Sequence, residues 1–111
     1  VTTFTMSDFG RTLTGNGSGS DHAWGGNLLV VGDSVRGNAL YGSYPRLVVN
    51  SNDTATRDFS FSRGQYIPTT AVDQVAATLA KWMGVTDPAA LAAIFPLLGN
   101  FATPDLGFMA T

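Results

Sequence analysis

Cysteine is absent from all 111 residues. That excludes disulfides, zinc–thiolate sites and thiol nucleophiles, and it leaves the redox compartment open. Glutamate is absent as well, so all eight acidic residues are aspartates. Aspartate is favoured at caps, turns and strand ends, so the skew predicts a loop-rich design in which most of the eight serve structure. Lysine occurs once, the five arginines stand singly, and the formal net charge is −2. Without a basic stripe the chain lacks the footprint of a nucleic-acid binder, and no nucleic acid is expected as a partner. No apolar run approaches the roughly 18 residues of a membrane-crossing helix, so the sequence is read as not membrane-spanning. Histidine occurs once, as His22.

What is present fits one domain with a modest core. Val1 to Met6, rich in Val, Thr and Phe, reads as a strand, already under way at the first residue. The chain is therefore read as one partial domain over 1–111, the carboxyl-terminal part of something longer with its amino-terminal part missing. On that reading an isolated 111-residue piece is expected to be poorly soluble or loosely packed, and catalytically silent. Ser7 to Asn27 reads as loop. Leu28 to Val31, closed by Gly32, reads as a fully buried strand beside Val1 to Met6. Ala39 to Gly42 reads as a short strand. Arg46 to Asn50 is expected to pair with a strand near Phe59 to Phe61 across the polar turn Ser51 to Thr56.

The helical signals are the firmest. Thr70 to Asp73 has the Thr-x-x-Asp form of a capping arrangement, with Pro68 upstream. Val72, Val75, Ala76, Leu79, Trp82 and Met83 then fall on one face of a helix that ends at Gly84, and Val75, Leu79 and Trp82 are expected to pack. A second helix opens with Asp87 as cap and Pro88 in its first turn, carries Leu91, Ile94 and Phe95, and stops at Pro96 and Gly99. Phe101, Leu106, Phe108 and Met109 predict that the irregular tail packs on the body.

The candidate chemistry lies in the first 22 residues. A strand closing on Asp8, followed by a glycine-serine return carrying Asp21 and His22, is one way to gather carboxylate and imidazole at the carboxyl edge of a sheet, where open α/β sheets hold ligands. Asp8 reads as a metal ligand or as a cap. Asp21 and His22 read as a ligand pair, or as a turn cap beside a surface histidine. Arg11 reads as an anion contact through its planar fork, or as a partner of Asp8. Gly15 to Ser20 is no phosphate cradle, since no Gly-Lys-Ser/Thr and no helix follow it. The serines lack a nucleophile elbow ahead of a helix. Trp24 and Trp82 read as a loop anchor and a core residue.

Taken in order, Thr5 to Thr12, Gly19 to His22, Trp24 to Gly26, Leu28 to Gly32 and Val35 to Gly37 resemble the carboxyl-terminal portion of the bacterial domain-of-unknown-function family 1501. Tyr66 to Pro68, Ala77 to Gly84 and Ile94 to Pro96 resemble its closing helices. That family is similar to the alkaline phosphatase and sulfatase superfamily, and its members commonly carry a twin-arginine export signal. The resemblance implies an α/β fold, the carboxyl-terminal portion of an alkaline phosphatase-like α/β/α sandwich. It also implies an extracytoplasmic address, periplasmic or secreted.

The same resemblance implies a site. Asp8 matches the aspartate of the superfamily's Asp-His metal pair, with Phe9 where the histidine would stand. His22 matches the downstream histidine ligand, and Asp21 is a further ligand or the group that orients its ring. The ion would be a divalent metal, with zinc, calcium or magnesium as candidates. Arg11 is the candidate catalytic contact to a small anionic ester substrate. The nucleophile lies earlier in the superfamily's sequence than this chain reaches. Two functions follow as expectations: metal-dependent hydrolysis of phosphate or sulfate esters, or an exported binding or scaffold protein with a degenerate site.

Overall fold

A computed structural model describes residues 1–50, 52–53 and 58–110. Small strands and helices make it a mixed α/β chain. Its contacts gather into two compact units. One takes Val1–Thr3, Val30–Gly42 and Thr70–Thr111; the other takes Phe4–Leu29 and Ser43–Thr69.

The first unit is built on helix α1, Val72–Trp82. Its cap falls one residue later than the Thr70–Asp73 spacing predicts. Ala71 is the N-cap, and its backbone N–H donates to Gln74 Oε1 at 2.8 Å. A glutamine at this position satisfies one otherwise unpaired donor of the helix start, as in the return half of a capping box. Gln74 Nε2 also donates to the Thr103 carbonyl at 2.7 Å, which fastens the tail to the helix. At the other end Gly84 takes φ +109°. The Val85 N–H reaches the Ala80 carbonyl and the Gly84 N–H the Lys81 carbonyl, the two bonds of a Schellman cap. Helix α2, Pro88–Ile94, begins as expected, with the Asp87 carboxylate accepting from Ala89 N–H at 3.2 Å. A 3-10 turn follows at Leu98–Asn100.

The core of this unit is made by α1 and the tail. Leu79, Phe108 and Met109 are buried together, Phe108 only 3% exposed, with Val30, Val35, Val75 and Leu106 packed around them. The tail therefore packs on the body, as its apolar residues predict. It is also paired: Arg36 N–H donates to the Phe108 carbonyl at 2.8 Å and Ala110 N–H to the Ser34 carbonyl at 2.7 Å. Trp82 departs from expectation, at 39% exposed. It closes the last turn of α1, and the apolar contact ends with Leu79 and Val75.

Strand β1, Thr2–Phe4, pairs with β4, Val30–Gly32. The two runs are neighbours, as the sequence predicts, but shorter, and the burial expected of them is absent. Val30 packs on the core while Val31 is 69% exposed. Successive residues of a strand face opposite ways, so a ribbon with a core on one side leaves every second residue in water. Ala39 to Gly42 forms no strand; Gly42 takes φ +90° and packs beside Thr70.

The second unit contains the largest departure. Ser7 to Asn27 is not loop throughout: β2, Gly10–Gly15, and β3, Ser20–Ala23, form an antiparallel hairpin. A three-stranded sheet orders β5, Asn52–Asp53, beside β6, Asp58–Phe61, and β7, Gln65–Tyr66. A strand near Phe59 to Phe61 is thus present, but its partners are β5 and β7 rather than Arg46 to Asn50. The expected turn at Ser51 to Thr56 holds the strand residues Asn52 and Asp53, and its other members lie outside the described residues. The segment before it is held by side chains. Ser60 Oγ donates to the Val48 carbonyl at 2.6 Å, and the Tyr66 hydroxyl accepts from Val48 N–H at 2.5 Å. That hydroxyl shares its own proton between the carbonyls of Arg46 and Val48.

Candidate functional site

The β2–β3 hairpin carries three of the four residues singled out by the sequence, so its construction decides what they can do. Asn16 to Gly19 makes the turn. Asn16 N–H donates to the Gly19 carbonyl, Asn16 Oδ1 accepts from Ser18 N–H, and Gly17 takes φ +93°. An asparagine binding its own backbone two residues on, beside a glycine at positive φ, is strong turn chemistry. Thr12 then ties the strands together, accepting from Asp21 N–H at 3.1 Å and donating to the Thr14 carbonyl at 2.9 Å. Gly10 lies so close to the Gly25 carbonyl that a Cβ there would sit 1.8 Å from its oxygen. Only glycine permits that approach.

Alternation along the strands sorts the side chains onto two faces. Thr12 (7% exposed) and Ala23 (4%) face inward. Asp21 shares that side as a half-buried residue. Its carboxylate accepts from Asn16 Nδ2 at 2.7 Å and lies 3.6 Å from Arg63 Nε. Arg63 also donates from Nη1 to the Gly15 carbonyl at 2.9 Å, so it clamps the hairpin. Arg11 and His22 are direct cross-strand partners on the other, exposed face. The His22 ring stacks on Phe9 with centroids 3.8 Å apart and planes 19° from parallel. The Arg11 guanidinium lies 5.0 Å from the centroid of the same Phe9 ring, and its Nη1 donates to the Ser20 carbonyl at 2.7 Å. Asp8 is exposed in the bend ahead of β2.

The hairpin therefore brings Arg11 and His22 together and sends Asp21 the other way. A tetrahedral or octahedral ion needs its ligands within about 2.0–2.6 Å of one point. Adjacent residues of one extended strand point to opposite faces, so Asp21 and His22 do not fit a shared ion. Among the described residues no group of three or more His, Asp, Cys or Glu could hold a metal.

Sequence reasoning missed Arg63 as the partner of Asp21 and Phe9 as the ring beneath His22. Arg63 is 42 positions away and gives no local signal. Phe9 was noticed for the histidine it replaces; its spacing from Arg11, two residues along one strand, was the available clue.

The first unit carries a groove of about 370 Å³ lined by Ala77, Leu91, Leu98 and Phe101, with Lys81 and Asp105 also in its wall. Lys81 Nζ donates to Asp105 Oδ2 at 2.7 Å. That bond, opposed by partial desolvation and helped by the Gly107 N–H, holds the Asp105 carboxyl below its ordinary pKa.

A family model described as "Protein of unknown function (DUF1501)" matches residues 1–95. No curated protein and no solved structure matches the chain significantly.

Proposed function

This chain belongs to the DUF1501 family, and on that premise we propose that it is part of an exported, extracytoplasmic protein of sulfatase and alkaline phosphatase ancestry whose hairpin site binds rather than cleaves. The mixed α/β make-up supports the α/β part of that ancestry. The observation that carries the binding reading is the split of Asp21 from His22 across β3. Asp21 is engaged by Asn16 and Arg63, and His22 is stacked on Phe9. Asp21 and Arg63 then serve to hold the hairpin, while Arg11 and His22 face outward to meet a ligand.

A second reading, metal-dependent hydrolysis of a small phosphate or sulfate ester, draws on the same cross-strand pair. Arg11 and His22 present a cation and an imidazole side by side to an anionic group. Under it Asp8 and His22 would hold zinc, calcium or magnesium with ligands from elsewhere in the protein.

Metal analysis and ester-hydrolysis assays on the intact protein and its His22→Ala variant separate the two. The binding reading expects equal metal content in both proteins and no release of phosphate or sulfate that depends on His22. Metal lost together with hydrolysis in His22→Ala would overturn it.

A further inference from the structure

The exposed face of the hairpin gathers aromatic rings around a cation. Phe9, Arg11 and His22 stand there in one stack. Just past the end of β3, two residues beyond His22, Trp24 is 59% exposed and braced edge-on by Phe61, their centroids 6.2 Å apart and planes at 83°. Among the described residues of β2 and β3 no carboxylate shares this face, because Asp21 points the other way. The Ser20 carbonyl occupies one N–H of the Arg11 guanidinium, which has five.

We propose that this face binds an anionic saccharide, its ring laid on the exposed Trp24 beside the stacked Phe9–His22 pair and its negative group held by Arg11. The proposal rests on the binding reading above and gives that reading its ligand class. Three features of this face select the ligand. An aromatic face is electron-rich, so it attracts the slightly positive C–H face of a sugar ring as it does the edge of another ring. The one guanidinium offers a planar fork matched to a single carboxylate or similar anion. A nucleic-acid strand would bring a phosphate at every nucleotide and would need a track of cations, whereas Arg11 is the only one in these two strands. An extended peptide is recognised through the main chain at a sheet edge, but this surface is a sheet face on which side chains alone are presented.

Isothermal titration calorimetry of the intact protein tests the proposal, with a short uronate oligosaccharide, its neutral carboxyl-reduced counterpart and an acidic peptide as probes. The uronate is expected to bind, and the neutral sugar to bind at least tenfold more weakly, as loss of one charged contact of about 1.4 kcal/mol would give. Arg11→Gln should weaken uronate binding by a similar factor without changing the weak binding of the neutral sugar. Trp24→Ala should abolish both, and Trp24→Phe should restore most of the affinity. Both positions are exposed, and an unchanged thermal melt shows that the variants remain folded. Equal affinity for the charged and neutral sugars, indifference to both substitutions, or tighter binding of the peptide would each overturn the proposal. Hydrolysis of phosphate or sulfate esters dependent on His22, assayed on the same samples, would overturn the parent reading whichever sugar result is obtained.

Discussion

In the first unit Leu79, Phe108 and Met109 form a buried apolar cluster, beside Gln74 and Thr78, whose polar groups bond to the tail; in the second unit the buried side chains include Thr12, Ser60, Ala23 and Tyr66. The apolar cluster can only pack. Three of the second set carry hydroxyls that bond to backbone elsewhere in the chain: Thr12 to Asp21, Ser60 and Tyr66 to Val48. Apolar burial scales with area and tolerates small shifts, whereas a buried hydrogen bond depends on its partner. The apolar cluster of the helical unit should therefore respond to lost volume, and the strand unit to lost donors and acceptors.

The largest expected effect tests the first half of that contrast. Phe108→Ala should destabilise the helical unit by about 3–5 kcal/mol, and Leu79→Ala by about 2–5 kcal/mol, the ranges for emptying packed core positions. Chemical denaturation followed by circular dichroism at 222 nm measures it. A loss below about 1 kcal/mol for both would mean that the α1–tail cluster is not the core of that unit.

Tyr66→Phe probes the other half. It deletes one oxygen and almost no volume, and it removes the hydroxyl's bonds to Val48 and Arg46. The Val48 N–H keeps the Arg46 carbonyl and the Val48 carbonyl keeps Ser60 Oγ, so the cost expected is that of an ordinary hydrogen bond, about 0.5–1.5 kcal/mol. Amide hydrogen exchange should place the loss in the strand unit, at Val48 and the β6–β7 pair, with α1 unchanged. Equal loosening of both units would break the comparison.

Gly84→Ala sharpens it within the helical unit. A Cβ at Gly84 meets nothing within 4 Å, so the whole cost comes from the positive φ of the Schellman cap. About 1–2 kcal/mol is expected, read as a lower melting temperature. A neutral result would show that the cap relaxes without penalty.

The smallest effect is electrostatic. Asp105 has its carboxyl pKa lowered in the folded protein, chiefly by the Lys81 hydrogen bond. A carboxyl with a depressed folded pKa contributes stability above its unfolded value, about 3.9, and loses it as pH falls through the folded value. Both side chains are more than a third exposed, so the pair is worth only about 0.2–1 kcal/mol. Lys81→Met should cost that much at pH 7, and the difference from wild type should shrink as pH falls through the lowered Asp105 value. A difference that persists after Asp105 is protonated would assign the effect to packing of the lysine stem along the neighbouring groove instead.

Legibility in the sequence followed the same division. Asp87, Pro88 and Gly84 each sit where the helix ends require them, since caps are local and involve residues two to five apart. The β2–β3 hairpin shows no apolar alternation, because its strands are built of Gly, Arg, Thr, Ser, Asp and His with only Leu13 and Ala23 apolar. Its one clear mark, Asn16 followed by Gly17, is turn chemistry that the surrounding run of glycine and serine obscures. Of the candidate residues, Arg11, Asp21 and His22 fall on one hairpin, and which face each takes was not legible. A face depends on strand register, and a shift of one residue would have exchanged Asp21 for His22.

By itself the sequence determined the family, both helices apart from the cap of the first, the first strand and the run from Leu28 to Val31 as neighbours, and the packing of the tail. These rest on local capping, helical periodicity and apolar content, which are properties of short stretches. The tertiary structure alone decided that Arg63 clamps Asp21, that Phe9 lies beneath His22, and that Trp82 and Val31 stay in water. Each of these depends on which distant backbone arrives beside a residue and on which face of a strand meets it. Only the closed network of non-local hydrogen bonds and packing sets those two quantities.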